Sequence, residues 1–192
     1  MPRTVVAALF LAVAAVLSAC TGQNAVSSGA QAGDLGYVSR DGTVRVLPVN
    51  DRVPAPSLHG ESLDGGNLDI RDLVGQVVVV NFWASWCPPC RAEQPRLNAA
   101  YAAAKSDGVA FLGINTRDQG AAARAFTRTH HVTYPSIVDE SGSTQLDFDI
   151  PGIPPSTVVI DRHGRVAAKI VGQTPKGVLE PIIDQLAAES SA

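Results

Sequence analysis

The sequence is poor in cysteine, in aromatic residues and in charge. Its 192 residues include three cysteines, the aromatic residues make up 5% and the charged residues 17%. The formal net charge is −3, so the chain lacks the strongly basic surface that would indicate nucleic acid or another polyanion as a partner. The sequence also contains no phosphate-binding loop and no internal repeat. Apart from an apolar run near the N-terminus, it contains no candidate membrane segment. We therefore expect a single domain that does not bind nucleic acid.

The small number of cysteines limits the possible metal chemistry. A structural zinc site needs four ligands, and this sequence offers one closely spaced pair, Cys87 and Cys90. His130 and His131 are adjacent and do not have ligand spacing. A purely structural disulfide is also disfavoured, because closing so short a loop contributes little stability through chain entropy. We expect a redox-active pair, with no metal and no other cofactor.

The cysteine pair directly follows an apolar run over residues 77–83. Its β-branched residues predict a strand that is buried on both faces. Pro88 and Pro89 lack a backbone N–H and have a fixed φ, which favours the first turn of a helix. Cys87 is then expected at the helix N-terminus, where free N–H groups and the helix dipole lower a thiol pKa from about 8.5 to roughly 3.5–7.5. Cys90, one turn deeper, is placed to attack a mixed disulfide formed at Cys87.

Residues 1–19 are predicted to form a signal peptide. Arg3 lies in a short n-region, and residues 5–17 form an apolar h-region that is too short for a comfortable transmembrane span. The following Leu-Ser-Ala-Cys20 resembles a bacterial lipobox, which implies cleavage before Cys20 and a lipid on its sulfur. The alternative is an ordinary signal peptide cut after Ala19. Lipidation of Cys20 would leave Cys87 and Cys90 as the only titratable thiols.

The rest of the chain divides into a tether and a domain. Residues 20–52 begin with a segment rich in Gly, Ser, Ala, Gln and Asn, which is typical of a flexible tether. Residues 37–47 alternate around Asp41-Gly42, which indicates a small hairpin. Residues 53–192 are predicted to form the folded domain.

Hydrophobic patterning predicts several further elements in this domain. Pro95 falls inside the helix that follows the cysteines and is expected to kink it. Thr174-Pro175 is a helix start signal, although Pro181 favours a later start. The other predicted elements are a helix from Pro89 to about Ser106, a strand over 109–115, a helix over 119–131, a strand over 134–138, and a hairpin of 157–160 with 166–171.

Three sequence segments together resemble the TlpA/ResA/DsbE-like extracytoplasmic thioredoxins. They are Asn81-Phe-Trp-Ala-Ser-Trp-Cys-Pro-Pro-Cys90, Arg91-Ala-Glu-Gln-Pro95 and Pro155-Ser-Thr-Val-Val-Ile-Asp161. A Cys-x-x-Cys motif alone is a weak signal, but the preceding Phe-Trp-x-x-Trp and the later Pro-Ser-Thr strand make it specific. The resemblance covers roughly residues 54–186. It implies an α/β thioredoxin-like fold, with a central mixed sheet flanked by helices, an N-terminal β extension and an inserted α-β unit.

The resemblance also implies roles for residues around the cysteines. Trp86 by itself could be an ordinary core aromatic. The resemblance instead places it on the surface beside Cys87. There, with Pro88 and Pro89, it is expected to form the face that docks a partner. Pro155, rather than Pro154, matches the cis-proline that faces the dithiol in this fold, where the backbone of its loop pairs with the partner chain.

Two polar residues are candidates for tuning the site. Cytoplasmic thioredoxins carry a buried aspartate at the position of Asn81, which assists deprotonation of the resolving cysteine. The neutral asparagine leaves the acid/base residue of this chain unassigned. Glu93 has two interpretations: a carboxylate favoured near the helix dipole and nothing more, or a group that tunes Cys90.

The implied function is a membrane-tethered thiol–disulfide oxidoreductase outside the cytoplasmic membrane. Cys87 attacks a substrate disulfide and Cys90 resolves the mixed disulfide. The favoured direction is reduction, and the resemblance implies apocytochrome c before haem attachment as the substrate. Because the extracytoplasmic space is oxidising, a reductant there must be recharged. The resemblance implies that a CcdA/DsbD-type membrane protein delivers the electrons. A DsbA-like oxidase would use the same sulfurs, and about 30 mV of reduction potential shifts this equilibrium by about 1.4 kcal/mol. Two further functions stay open: a thiol peroxidase, which the Trp-Cys-Pro-Pro-Cys context disfavours, and a non-catalytic binding lipoprotein.

Overall fold

A computed structural model describes residues 36–39 and 42–189 of the chain. The predicted signal peptide and Cys20 lie outside the described residues. The strands are β1 (Gly36–Ser39), β2 (Gly42–Val46), β3 (His59–Glu61), β4 (Asn67–Asp69), β5 (Val77–Trp83), β6 (Val109–Thr116), β7 (Ser136–Asp139), β8 (Ser156–Ile160) and β9 (Val166–Gly172). The helices are α1 (Pro88–Ala104), α2 (Gly120–Thr129), α3 (Thr144–Asp147) and α4 (Leu179–Ala188).

Seven of these strands form one mixed sheet in the order β1-β2-β9-β8-β5-β6-β7. The strands β5, β6 and β7 are parallel, whereas β8 is antiparallel to both β5 and β9. The short strands β3 and β4 pair separately. This architecture confirms the predicted thioredoxin-like fold, including the N-terminal β extension and the inserted unit of α2 and β7.

The strand that leads to the cysteines lies in the middle of this sheet and is buried over its whole length. Val77 and Val79 pack into one apolar cluster with residues of α1 and α4, such as Leu97 and Ile183. Val78, Val80 and Phe82 face a second cluster on the opposite side of the sheet. Cover on both faces explains why the run is apolar without alternation, as predicted.

The N-terminal hairpin belongs to this main sheet. β1 and β2 pair in antiparallel fashion, as predicted, and β2 also pairs with β9 through contacts such as Val44 with Ile170. The main sheet therefore includes residues on the N-terminal side of residue 53, where the folded domain was predicted to begin. This domain boundary stays a prediction.

The helices α1 and α4 differ slightly from their predicted bounds. α1 ends at Ala104 and continues as a 3-10 turn, Lys105–Asp107. α4 begins at Leu179, after the Thr174-Pro175 start signal, with Pro181 in its first turn. The first N–H groups of a helix have no intrahelical partner, so Pro181, which lacks an N–H, removes no hydrogen bond at this position. This explains why the helix begins at Leu179 and not earlier. In the described part of the chain, no helix is both long and apolar enough to cross a membrane.

Candidate active site

The turn after β5 places the cysteines at the start of α1. Cys87 is the N-cap residue of this helix, and Pro88 and Pro89 occupy its first positions, as predicted. Cys87 and Cys90 form a disulfide with their Cα atoms 5.3 Å apart. Sγ of Cys87 accepts a hydrogen bond from the backbone N–H of Cys90 across 3.2 Å. The sulfur of Cys87 therefore lies where the free N–H groups of the helix favour negative charge.

Both cysteines lie in an apolar environment. Cys87 is 2% exposed and Cys90 is 1% exposed. They share a cluster with Trp83 and Phe126, whose rings stack with centroids 4.7 Å apart. Nε1 of Trp83 donates to Oγ of Ser136. Since Phe126 belongs to α2, the inserted unit packs against the disulfide from one side. The sequence alone does not predict this contact.

Trp86 lies on the surface, where the sequence analysis placed it. Its side chain is 52% exposed, and Pro88 and Pro89 beside it are exposed as well. Nε1 of Trp86 donates to the backbone oxygen of Arg117 across 2.9 Å. The indole is thus held in one orientation at the protein surface, and its role in docking stays a prediction.

The peptide bond between Pro154 and Pro155 is cis, as predicted for Pro155. Ser156, the next residue, opens β8 and pairs with Phe82 near the end of β5. The loop of Pro155 therefore leaves the sheet at the same end of β5 as the turn that leads to Cys87. Contact of this loop with a partner chain stays a prediction.

Glu93 does not lie on the solvent-exposed face of α1. Its side chain is buried, and Oε2 accepts from the backbone N–H of Thr174 across 2.8 Å. Oε1 accepts from Nδ2 of Asn81 across 3.2 Å. Burial raises the pKa of Glu93 to about 7, although these hydrogen bonds and the charge of Arg96 oppose the rise. A favourable position near the helix dipole does not by itself explain why this carboxyl group is buried and hydrogen-bonded to Asn81 and Thr174.

Asn81 links Glu93 to β8, the strand that follows the cis-proline. Besides its bond to Glu93, Nδ2 of Asn81 donates to Oγ1 of Thr157 across 3.2 Å. The hydroxyl groups of Thr157 and Thr174 are in turn 3.3 Å apart. Asn81 and Glu93, the two polar candidates of the sequence analysis, are therefore brought together in one buried network.

Sequence reasoning missed two neighbouring residues just after the end of β6, Arg117 and Asp118. The carboxylate of Asp118 accepts from the backbone N–H and the hydroxyl of Ser85, across 2.6 and 2.7 Å. It also accepts from Asn115, and these hydrogen bonds lower the pKa of Asp118 despite its partial burial. A polar turn after a buried strand is common, so the sequence carries no signal that singles these residues out.

Within the described ranges, 36–39 and 42–189, no group of three or more His, Cys, Asp or Glu side chains could hold a metal ion. A disulfide at the start of a helix that follows a central strand, with a cis-proline loop at the same end of that strand, defines a thioredoxin-like thiol–disulfide oxidoreductase. The model of the Redoxin family matches residues 48–186. The chain belongs to this family and, within it, to the ResA/HelX/DsbE-like oxidoreductases.

Individual relatives support the same family. The thiol-disulfide oxidoreductase ResA of Bacillus cereus is 29% identical over 132 residues, which are 69% of this chain and 76% of the relative. The thiol:disulfide interchange protein HelX of Rhodobacter capsulatus is 36% identical over 121 residues, 62% of this chain and 65% of the relative. The structure of a secreted thiol-disulfide isomerase from Corynebacterium glutamicum matches with a TM-score of 0.71 at 28% identity, covering 82% of this chain and 99% of that chain. The chain is thus similar to enzymes that act on protein thiols and disulfides.

Proposed function

We propose that this oxidoreductase reduces disulfides in exported polypeptides, with Cys87 as the attacking and Cys90 as the resolving cysteine. The observation that supports this assignment most directly is the position of Cys87 as the N-cap of α1. A thiolate there is stabilised by the helix N-terminus, and a thiolate is the form that attacks a disulfide. Cys90 lies inside the helix, within disulfide distance of Cys87.

The proposed reaction moves two electrons from the enzyme to its substrate. The Cys87 thiolate attacks one sulfur of the substrate disulfide, forms a mixed disulfide and releases the other sulfur as a thiolate. Deprotonated Cys90 then attacks the sulfur of Cys87, which forms the Cys87–Cys90 disulfide and releases the second substrate thiolate. The substrate thiolates take up two protons, and the enzyme is left oxidised.

Glu93 is the group that we propose to tune Cys90 in the second step. It follows Cys90 by three residues on α1, which places the two on the same side of the helix. Its pKa of about 7 lets it hold or release a proton near neutral pH. Asn81, hydrogen-bonded to Glu93, would bias this equilibrium without adding a charge.

The proposed location is the outer face of the cytoplasmic membrane. The support comes from the predicted signal peptide over residues 1–19, the lipobox-like sequence at Cys20, and the description of the Corynebacterium relative as secreted. A reductant in that oxidising space needs a supply of electrons, for which a CcdA/DsbD-type membrane protein is the proposed donor. Apocytochrome c is the proposed substrate.

The reduction potential of the Cys87–Cys90 pair tests the direction. The protein would be the chain from residue 20 onward carrying Cys20→Ser, equilibrated in dithiothreitol or glutathione buffers. We expect a value well below the roughly −180 mV typical of disulfide isomerase. A value near the roughly −120 mV of strong oxidants would overturn the proposal and favour disulfide formation in exported proteins.

A further inference from the structure

The side chain of Arg117 connects the loop after β7 to the loop of the cis-proline. Its Nη1 donates to the backbone oxygen of Gly152, three residues before Pro155, across 3.1 Å. Its Nε donates to the backbone oxygen of Ser141 across 3.2 Å. Its own backbone oxygen accepts from Nε1 of Trp86. One residue thus contacts both the indole next to Cys87 and the loop of the cis-proline.

The backbone of Arg117 has an unusual conformation. Its φ is 48°, in the left-handed region that a residue with a Cβ seldom adopts. Non-glycine residues in this region concentrate at functional sites, where the surrounding structure holds them. Here the N–H of Arg117 donates to the backbone oxygen of Asp139 across 3.0 Å, and this conformation follows directly after the end of β6.

The chain leaves room for the guanidinium at Gly142. A Cβ built on Gly142 would lie 2.3 Å from Nε of Arg117, which no real contact allows. Gly142 itself has a φ of 69°, and Asp139 fixes its loop by accepting from the N–H of Gly142 and the hydroxyl of Ser141. Arg117 therefore rests against an ordered loop that is shaped to receive it.

Asp118 extends the same arrangement to the turn before the cysteines. Its carboxylate binds the N–H and the hydroxyl of Ser85, the residue before Trp86. Two consecutive residues after β6 therefore hold the two residues that precede Cys87.

We propose that Arg117 is a positioning residue that sets the spacing between Trp86 and the loop of Pro155, and thereby the fit of an extended polypeptide substrate at the disulfide. This inference rests on the proposed function, since it concerns how that site takes its substrate. Trp86 lies three residues beyond the end of β5, and the Pro155 loop precedes β8, so the pairing of these two strands does not by itself fix the separation of Trp86 and this loop. A substrate segment that contacts both gains affinity when the two are already in place, because less conformational freedom is lost on binding.

The test compares Arg117→Asn with wild type on two disulfides. One is a synthetic peptide with an internal disulfide in a Cys-x-x-Cys-His segment, and the other is hydroxyethyl disulfide, which is too small to span both segments. Asparagine tolerates the left-handed backbone, so this variant removes the guanidinium contacts without adding strain. Arg117→Lys keeps the charge but not the forked geometry. Arg124→Asn, an exposed change on α2, is the matched control.

We expect Arg117→Asn to raise KM for the peptide by about five- to tenfold, the size expected from losing hydrogen bonds of a charged donor. Its kcat, its rate with hydroxyethyl disulfide and its reduction potential should stay at wild-type values. Arg117→Lys should resemble Arg117→Asn, and Arg124→Asn should resemble wild type. Gly142→Ala both displaces the guanidinium and strains the backbone of its loop, so it should raise KM at least as much as Arg117→Asn.

Two results would overturn the inference. One is an unchanged KM in Arg117→Asn. The other is a parallel loss of activity on both disulfides, which would mean that Arg117 only stabilises the fold. If wild type oxidises the reduced peptide instead of reducing its disulfide, the proposed direction fails, but the KM comparison is then made in that direction. The two failures are therefore distinguishable.

Discussion

Nδ2 of Asn81 donates to Oε1 of Glu93 across 3.2 Å, and both side chains are 1% exposed. A buried carboxyl group is thus paired with a neutral amide rather than with a cation or a second acid. Because the amide carries no charge, Glu93 can be protonated or ionised near pH 7 without leaving an opposite charge unpaired.

The stability of the oxidised protein should therefore depend on pH through Glu93. The pKa of Glu93 is about 7 in the folded protein, compared with the ordinary value of 4.5 that applies to the unfolded chain. Between these values the folded state holds a proton that the unfolded state has lost, so the free energy of unfolding falls as pH rises. The fall should total about 3 kcal/mol and level off above pH 7.

Glu93→Gln checks this prediction by urea unfolding at several pH values. Glutamine resembles the protonated carboxyl group, so the variant should match wild type near pH 4.5 and exceed its stability at pH 8. Glu61→Gln, at an exposed position of β3, should keep the wild-type pH dependence. An unchanged slope in Glu93→Gln would show that other groups cause it.

Asn81→Asp should destabilise the protein in a pH-dependent manner. The substitution places a second carboxyl group beside Glu93 and removes the donor to Thr157. Two adjacent carboxylates cannot easily both ionise, so one pKa of the pair is raised strongly. We expect a loss of about 2–3 kcal/mol at pH 8, and a smaller loss at pH 5.

Thermal unfolding of the oxidised protein at both pH values measures this effect. Asn67→Asp, an exposed change in β4, is its control and should be neutral at both. Equal losses for Asn81→Asp at pH 5 and pH 8 would contradict the expected repulsion.

Single serine variants should separate the roles of the two cysteines. Cys90→Ser retains the proposed nucleophile, so it should accumulate a mixed disulfide with a peptide disulfide, detectable by mass spectrometry. Cys87→Ser should form little adduct, because Cys90 lies inside the helix and away from its N-cap. Both variants should lose turnover. Preferential adduct formation at Cys90 would reverse the assignment.

Arg52 should contribute strongly to stability. Its guanidinium is buried and bonded to Asp161 across 3.1 Å and to Glu189 across 2.6 Å, joining the segment before β3 to the residue after β8 and to the residue after α4. Arg52→Met removes the charge and leaves the buried Asp161 with one partner fewer. We expect a loss of about 3 kcal/mol in urea unfolding.

An exposed ion pair serves as the comparison for Arg52. Arg71 is paired with Asp69 at the surface, so Arg71→Met should cause no measurable change in stability. Similar losses in both variants would mean that burial of the Arg52 pair is not what matters.

The sequence was sufficient to predict those parts of the site that depend on neighbouring residues. The apolar run over residues 77–83 requires a strand covered on both faces, and Pro88 and Pro89 mark the helix start. The cis bond at Pro155 was predicted from resemblance alone, since composition and spacing do not distinguish it from Pro154.

Long-range contacts could not be predicted in the same way. Glu93 has the local features of an exposed helical carboxylate, and it is buried because the loop before α4 brings the N–H of Thr174 against it. Arg117 contacts Trp86 and Gly152, which are both distant in sequence. The pairing of β2 with β9 likewise depends on where β9 lies in the sheet. Such contacts are set by how the elements pack, which residue types in one segment do not specify.

The position of β2 bears on aggregation. β2 covers the hydrogen-bonding edge of β9 along Gly42–Val46, so a truncated chain starting at residue 53 would leave that edge open next to the apolar core residue Ile170. Open strand edges pair readily with strands of other chains. The hairpin before the predicted boundary therefore replaces the seven-residue edge of β9 by the four-residue edge of β1, and a short edge strand limits edge-to-edge association.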